Sequence, residues 1–81
     1  MTRNEIIAKV QDIFRDCFDE PSIIINDSTS PADIEGWDSI AMINIISAIE
    51  MDFNIKFSLD ELEVLNNVST IVDAITNHLK N

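Results

Sequence analysis

The sequence predicts an all-α protein, a small four-helix bundle of three longer helices and one short one, with a long loop between the first two. Three observations predict it. Apolar residues recur at helical spacing in several separate stretches. One glycine and no tyrosine in 81 residues leave too few turn signals for a many-stranded sheet. An apolar fraction of 46% suits a packed core and argues against disorder. A chain of this length is expected to form one domain, residues 1–81, burying roughly 60–65% of its unfolded surface.

The first helix is announced by Thr2 and Glu5 in capping-box spacing, followed by Ile6, Ile7, Val10, Ile13, Phe14, Cys17 and Phe18 at helical intervals. Pro21 is expected to stop it. From Asp19 to Asp38 the chain is rich in Asp, Ser and Pro. A structureless loop of that length is unusual in a compact domain, so Ile23, Ile24, Ile25 and Ile34 are expected to pin it to the core, with a short helical turn at "SPADIE". The second helix should run from Ser39 to about Asp52 and turn Met42, Ile45, Ile46, Ile49 and Phe53 inward. Its other side carries Ile40, Asn44, Ser47 and Met51, two of them large and apolar, which marks a candidate partner surface. "SLDEL" opens a short third helix, with Ser58 and Glu61 as a second capping box and an end near Leu65. Asn66-Asn67 breaks it. The last helix begins around Ser69 and directs Ile71, Val72, Ile75 and Leu79 inward, with Lys80 near its negative end.

Charge narrows the classes of partner. Fifteen acidic residues stand against five basic ones, and no Lys or Arg occurs between Asp16 and Ile55. Such a chain is repelled by phosphate backbones and anionic membranes, so neither nucleic acid nor membrane is expected as a partner, and the charge fits basic protein surfaces and an acidic coat for solubility equally well. It is also expected to be monomeric. The charged first twenty residues do not form a signal peptide, and no stretch reaches membrane-span length, so a cytoplasmic protein is expected.

Several chemistries lack their residues. Lone Cys17 allows neither an internal disulfide nor a Cys metal site and reads as buried filler. His78, the one histidine, reads as a solvated side chain near the C-terminus. The acidic loop has Pro31 where an EF-hand would need its first ligand, and one glycine cannot make a phosphate-cradling loop. No metal is expected and no catalytic residue is assigned. An enzyme is not expected.

The junction "EGWDSIAMI", residues 35–43, is the informative stretch. Asp38 and Ser39 are both strong helix-capping types, and capping alone explains the pair. A serine in the first helical turn also holds its oxygen at the positive end of the helix, where free N–H groups and the dipole favour a phosphate.

The whole ordering resembles the acyl carrier protein family: a long first helix, a loop carrying "NDS", then "GWDSI", an amphipathic helix with "AIEMDFNIKF", a short third helix and a last one opening at "VSTIVDAI". The resemblance spans nearly the full chain. It implies that Ser39 carries a 4′-phosphopantetheine arm, transferred from coenzyme A by a separate phosphopantetheinyl transferase that recognises Asp38 at the helix start. The arm's thiol would hold an acyl or aminoacyl group as a thioester, and the carrier itself would catalyse nothing. The resemblance further implies that the second helix meets acyl-transferring or condensing enzymes through basic docking surfaces, which maps onto Asp38, Ile40, Asn44, Ser47, Glu50 and Met51. Ala41, Asn44 and Met51 stand where the family often has Asp or Glu, and Trp37 precedes the Asp-Ser pair. These departures favour a specialised acyl pathway over general fatty acid synthesis. A peptidyl or aminoacyl carrier and an acidic interaction module without a prosthetic group remain as alternatives. The isoleucines Ile13, Ile43, Ile46, Ile49 and Ile75 are expected to be close-packed core.

Overall fold

The computed structural model describes residues 1–80. Four helices account for its regular structure: α1 (Arg3–Cys17), α2 (Ser39–Phe53), α3 (Leu59–Val64) and α4 (Val68–Leu79), with a single 3₁₀ turn at Pro31–Asp33 in the first loop. The radius of gyration is 11.6 Å. About 12 Å is expected for a compact chain of this size, so the long loop is folded against the bundle.

Each helix begins where its capping chemistry places it. In α1 the Thr2 hydroxyl accepts from the Glu5 amide at 3.2 Å, and the Glu5 carboxylate accepts from the Thr2 amide at 2.8 Å. That backbone bond is the main reason the Glu5 carboxyl sits below its ordinary pKa. Ser58 and Glu61 form the same reciprocal pair at the start of α3, at 3.2 and 2.8 Å. α4 begins one residue earlier than its sequence suggests, because Asn67 is its cap and accepts from the Thr70 amide at 2.9 Å. The residue that breaks the preceding segment therefore also starts the next helix.

Pro21 does not terminate α1. The helix ends at Cys17 and the chain turns away at Asp19, which adopts a left-handed φ of 51°. α2 likewise closes on a left-handed residue, Asn54 at φ 56°, whose amide and that of Ile55 both bond to the Glu50 carbonyl. Asparagine and aspartate tolerate this region better than most side chains, so polar residues do here what glycine usually does.

Three buried rows meet in the core: Ile6, Val10 and Phe14 from α1, Ile45 and Ile49 from α2, and Val68, Ile71, Val72 and Ile75 from α4. α1 packs against both α2 and α4. The sequence expectation fails at three apolar positions. Ile43 is 65% exposed, because it lies about 140° around the helix from the centre of the Ile45–Ile49 row. Leu79, in the last turn of α4, is 41% exposed, and Ile24 in the loop is 77% exposed. Cys17 is half-buried beside the core, and burial, more than nearby Asp16, raises its thiol pKa and makes it a poor nucleophile.

The loop is held by polar side chains of α1 as much as by isoleucines. Gln11 accepts from the Ile25 amide at 3.0 Å and Arg15 donates to the Ile23 carbonyl at 2.8 Å. Arg3 bridges Asp27 at 2.6 Å and Asp73 of α4 at 2.7 Å, tying helix, loop and helix together. Buried Thr29 closes the loop onto α4 by accepting from the Val68 amide at 3.0 Å. Ile25 and Ile34 complete the attachment from the apolar side.

Candidate functional site

The glycine of "EGWDSI" has a backbone reason to be there. Gly36 has a φ of 86°, a value that strains any other residue, and it turns the chain beside the Phe18 ring. The turn buries Trp37, which is 8% exposed and stands edge-on to Phe14 with ring centroids 5.0 Å apart. Half-buried Phe18 beside the turn and buried Trp37 after it anchor the chain just before α2. The next residue, Asp38, is its cap: the carboxylate accepts from the Ala41 amide at 2.9 Å and the carbonyl accepts from the Met42 amide at 2.9 Å.

Ser39 is the first residue of α2 and is exposed. Capping falls to Asp38, so the Ser39 hydroxyl is not consumed by the helix. Among the described residues it has no hydrogen-bond partner within the chain. The hydroxyl thus stands in solvent at the positive end of a helix of 15 residues, a place where a covalent phosphodiester is tolerated both sterically and electrostatically.

Two clefts flank this serine. One, of about 370 Å³, lies between α2 and α3 and is lined by Ser39, Met42, Ile43, Ile46, Ser47 and Leu62. Its wall is largely apolar. The other, of about 260 Å³, lies between α2 and the loop and is lined by Pro31, Trp37, Asp38, Ser39, Met42 and Leu65. Met42, Ile43 and Leu62 were not among the residues singled out from sequence as functional. Ile43 and Leu62 carry a visible signal, since each is a large apolar residue off the inward stripe of its helix, but only the approach of α3 to α2 makes them one surface.

The sequence-selected partner row is largely where it was expected. Ile40 is 71% exposed and Met51 84%, with Asn44 and Ser47 exposed between them. Glu50 departs from the row. It is half-buried, and its carboxylate accepts from the Phe57 amide at 2.9 Å, bracing the chain between α2 and α3. α3 extends the apolar surface with Leu59, 80% exposed, and Val64, 57% exposed. Asp33, Glu35 and Asp38 before α2, and Asp60 and Glu63 on α3, supply exposed negative charge on either side.

His78 is not the solvated residue its position suggests. Half-buried, it meets the Glu61 carboxylate at 2.8 Å and the edge of the Phe57 ring at a centroid distance of 5.4 Å. Capping by the Ser58 amide, with a further contribution from His78, keeps the Glu61 carboxyl below its ordinary pKa. The contact ties α3, a helix of six residues, to α4.

Comparison with known proteins places this geometry. The family model for a phosphopantetheine attachment site matches residues 8–75. The fold is similar to the solution NMR structure of a holo acyl carrier protein from Geobacter metallireducens, at 37% sequence identity and a TM-score of 0.85, over 93% of this chain and 86% of that one. A match over most of the chain, joined to an exposed serine at a helix start, leads to one conclusion: the chain belongs to the acyl carrier protein family, non-catalytic carriers that bear a covalent 4′-phosphopantetheine.

Proposed function

We propose that Ser39 is the attachment residue and that the protein holds acyl intermediates as thioesters for a dedicated acyl pathway. The single observation that carries the assignment is the division of work at the start of α2: Asp38 caps the helix, leaving the exposed Ser39 hydroxyl available for phosphodiester formation. When bound, the arm supplies a terminal thiol on a long flexible tether. Ser39 fixes the arm's origin, and the helix start offers its amides and dipole to the phosphate. An apolar chain carried on that arm has the α2–α3 cleft beside its point of attachment, while the core behind the cleft is closed by Ile45 and Ile49, both 0% exposed. Tethering makes each transfer to an enzyme depend on recognition of the protein surface and raises local concentration once docked.

Phosphopantetheinyl transferase and acyl-handling enzymes are the partner classes, with Ile40, Asn44, Ser47 and Met51 as the surface they meet. From Ser39 to Ile49, α2 contains no charged residue, which supports a specialised set of partners over ones that read a negative stripe. Intact mass after incubation with coenzyme A, magnesium and a broad-specificity transferase tests the assignment. Wild type should gain one phosphopantetheine and Ser39→Ala none. A gain in the alanine variant would move the attachment elsewhere, and no gain in wild type with several transferases would overturn it.

A further inference from the structure

A third cleft lies along the other edge of α2, between that helix and α1. At about 640 Å³ it is larger than either cleft beside Ser39, and the serine takes no part in its lining. Buried Ile13 and half-buried Ala48 form its floor, and exposed Met51 forms its lip. Met51 is also the last residue of the outer row that begins at Ile40, so the cleft continues the partner surface of α2 around to α1.

The walls of this cleft are acidic. Asp12 and Asp16 stand one turn apart on α1, both exposed, and Asp52 lies across from them on α2. Their own helices do not favour them there. Like charges at i and i+4 repel, and Asp16 and Asp52 occupy the last turns of α1 and α2, where the dipole favours cations. The one cation in the lining is already engaged: Lys9 Nζ is 3.4 Å from Asp52 and 5.4 Å from the centre of the Phe53 ring. Among the described residues, the Asp12 and Asp16 carboxylates have no ion-pair or hydrogen-bond partner. α2 has little other charge to present. Its acidic residues are Glu50 and Asp52, and Glu50 is held by the Phe57 amide.

We propose that the α1–α2 cleft is a second docking surface, separate from the α2–α3 face, and that its occupant is an amphipathic helix of a partner protein. That helix carries two basic residues one turn apart beside an aliphatic row. The basic pair matches Asp12 and Asp16, whose positions on one helix face set their Cβ atoms about 5–6 Å apart. The aliphatic row covers Ile13, Ala48 and Met51, a helix laid into an apolar groove. Ser39 stays free, because it lies about 18 Å along α2 from Met51. The proposal goes beyond attachment at Ser39 and does not depend on it.

The test titrates the 81-residue chain with a capped, alanine-rich helical peptide that has two arginines one turn apart and two leucines on the adjoining row. Methyl shifts of Ile13, Ala48 and Met51 are read against those of Ile43 and Leu62 on the α2–α3 side. The first set should move in a saturable way, and equally in Ser39→Ala, which keeps this result separate from the carrier assignment. Asp12→Asn combined with Asp16→Asn should weaken binding by about fivefold, the product of two exposed pairs at roughly two- to threefold each. Glutamine in place of the peptide's arginines should lose about the same factor. Removing two charges from α3 instead, by Asp60→Asn with Glu63→Gln, should change binding by less than about twofold. The Asp12, Asp16 double variant should melt no lower than wild type, since it relieves repulsion within α1. No saturable shift in the first set, shifts confined to Ile43 and Leu62, equal weakening by the two double variants, full binding of the glutamine peptide, or a lower melting temperature for the Asp12, Asp16 variant would each overturn the proposal.

Discussion

Neighbouring residues 38 and 39 have opposite relations to the helix they begin, one bound to it and one free of it. Asp38→Ala removes the cap and should cost about 1 kcal/mol, whereas Asp38→Asn keeps an acceptor and should leave stability nearly unchanged. Thermal unfolding checks this, with a fall of roughly 4–8 °C for the alanine variant. If the asparagine variant is modified more slowly by a transferase despite its normal melting point, the charge itself is read in recognition. Burial makes a second residue-scale distinction within one run of isoleucines. Ile45, fully buried, should lose roughly 2–5 kcal/mol on conversion to alanine. Ile43→Ala should stay within about 0.5 kcal/mol, since its side chain is 65% exposed. Urea unfolding of the two variants separates the core from the cleft, and equal losses would mean that Ile43 packs more tightly than its exposure indicates.

Among the elements, α3 depends most on others. Six residues are too few to be stable alone, and none of its side chains is fully buried. It is held by the Ser58–Glu61 capping box and by Glu61 against His78 on α4. The Glu61 carboxyl has a lowered pKa in the folded protein, so its stabilisation is present above the ordinary glutamate value and lost as pH falls through the lower folded value. Amide exchange in α3 should therefore quicken as pH drops below the ordinary glutamate range, after correction for intrinsic rates, with α1 less affected. Glu61→Gln should flatten that pH dependence. If α3 in the variant still loosens with acid as wild type does, another group controls it. Because Leu62 of α3 lines the cleft beside Ser39, this short helix also decides how open that cleft is.

For the whole molecule, net charge is the dominant electrostatic fact. A formal charge of −10 on 81 residues repels itself in the compact state more than in the unfolded chain. The ion pairs that oppose it, Arg3 with Asp27 and Asp73 and Lys9 with Asp52, are all at least partly exposed. Pairs of this kind contribute about 0–1 kcal/mol each and are screened as well. Repulsion should win. Raising sodium chloride from near zero to about 0.15 M, where the screening length is about 8 Å, should increase the melting temperature. A decrease would mean that the Arg3 bridges outweigh the repulsion.

Local chemistry determined much of this protein from sequence alone. Capping boxes at Thr2 and Ser58 and the periodic apolar rows are short-range signals, and they placed the helices within a residue or two. The sequence left open whether Asp38 or Ser39 would cap α2, since both are strong capping types; the structure gives the cap to Asp38 and leaves Ser39 exposed. What tertiary structure alone decided depends on residues far apart in the chain. Ile43 and Leu62 become one cleft only where α3 meets α2. Glu50 left the partner row for the Phe57 amide, and His78 left solvent for Glu61. The same limit explains Arg3, whose bridges span 24 and 70 residues. Periodicity says which way a side chain points from its own helix; what it meets there is settled by the packing of elements, for which one sequence holds no comparable repeat.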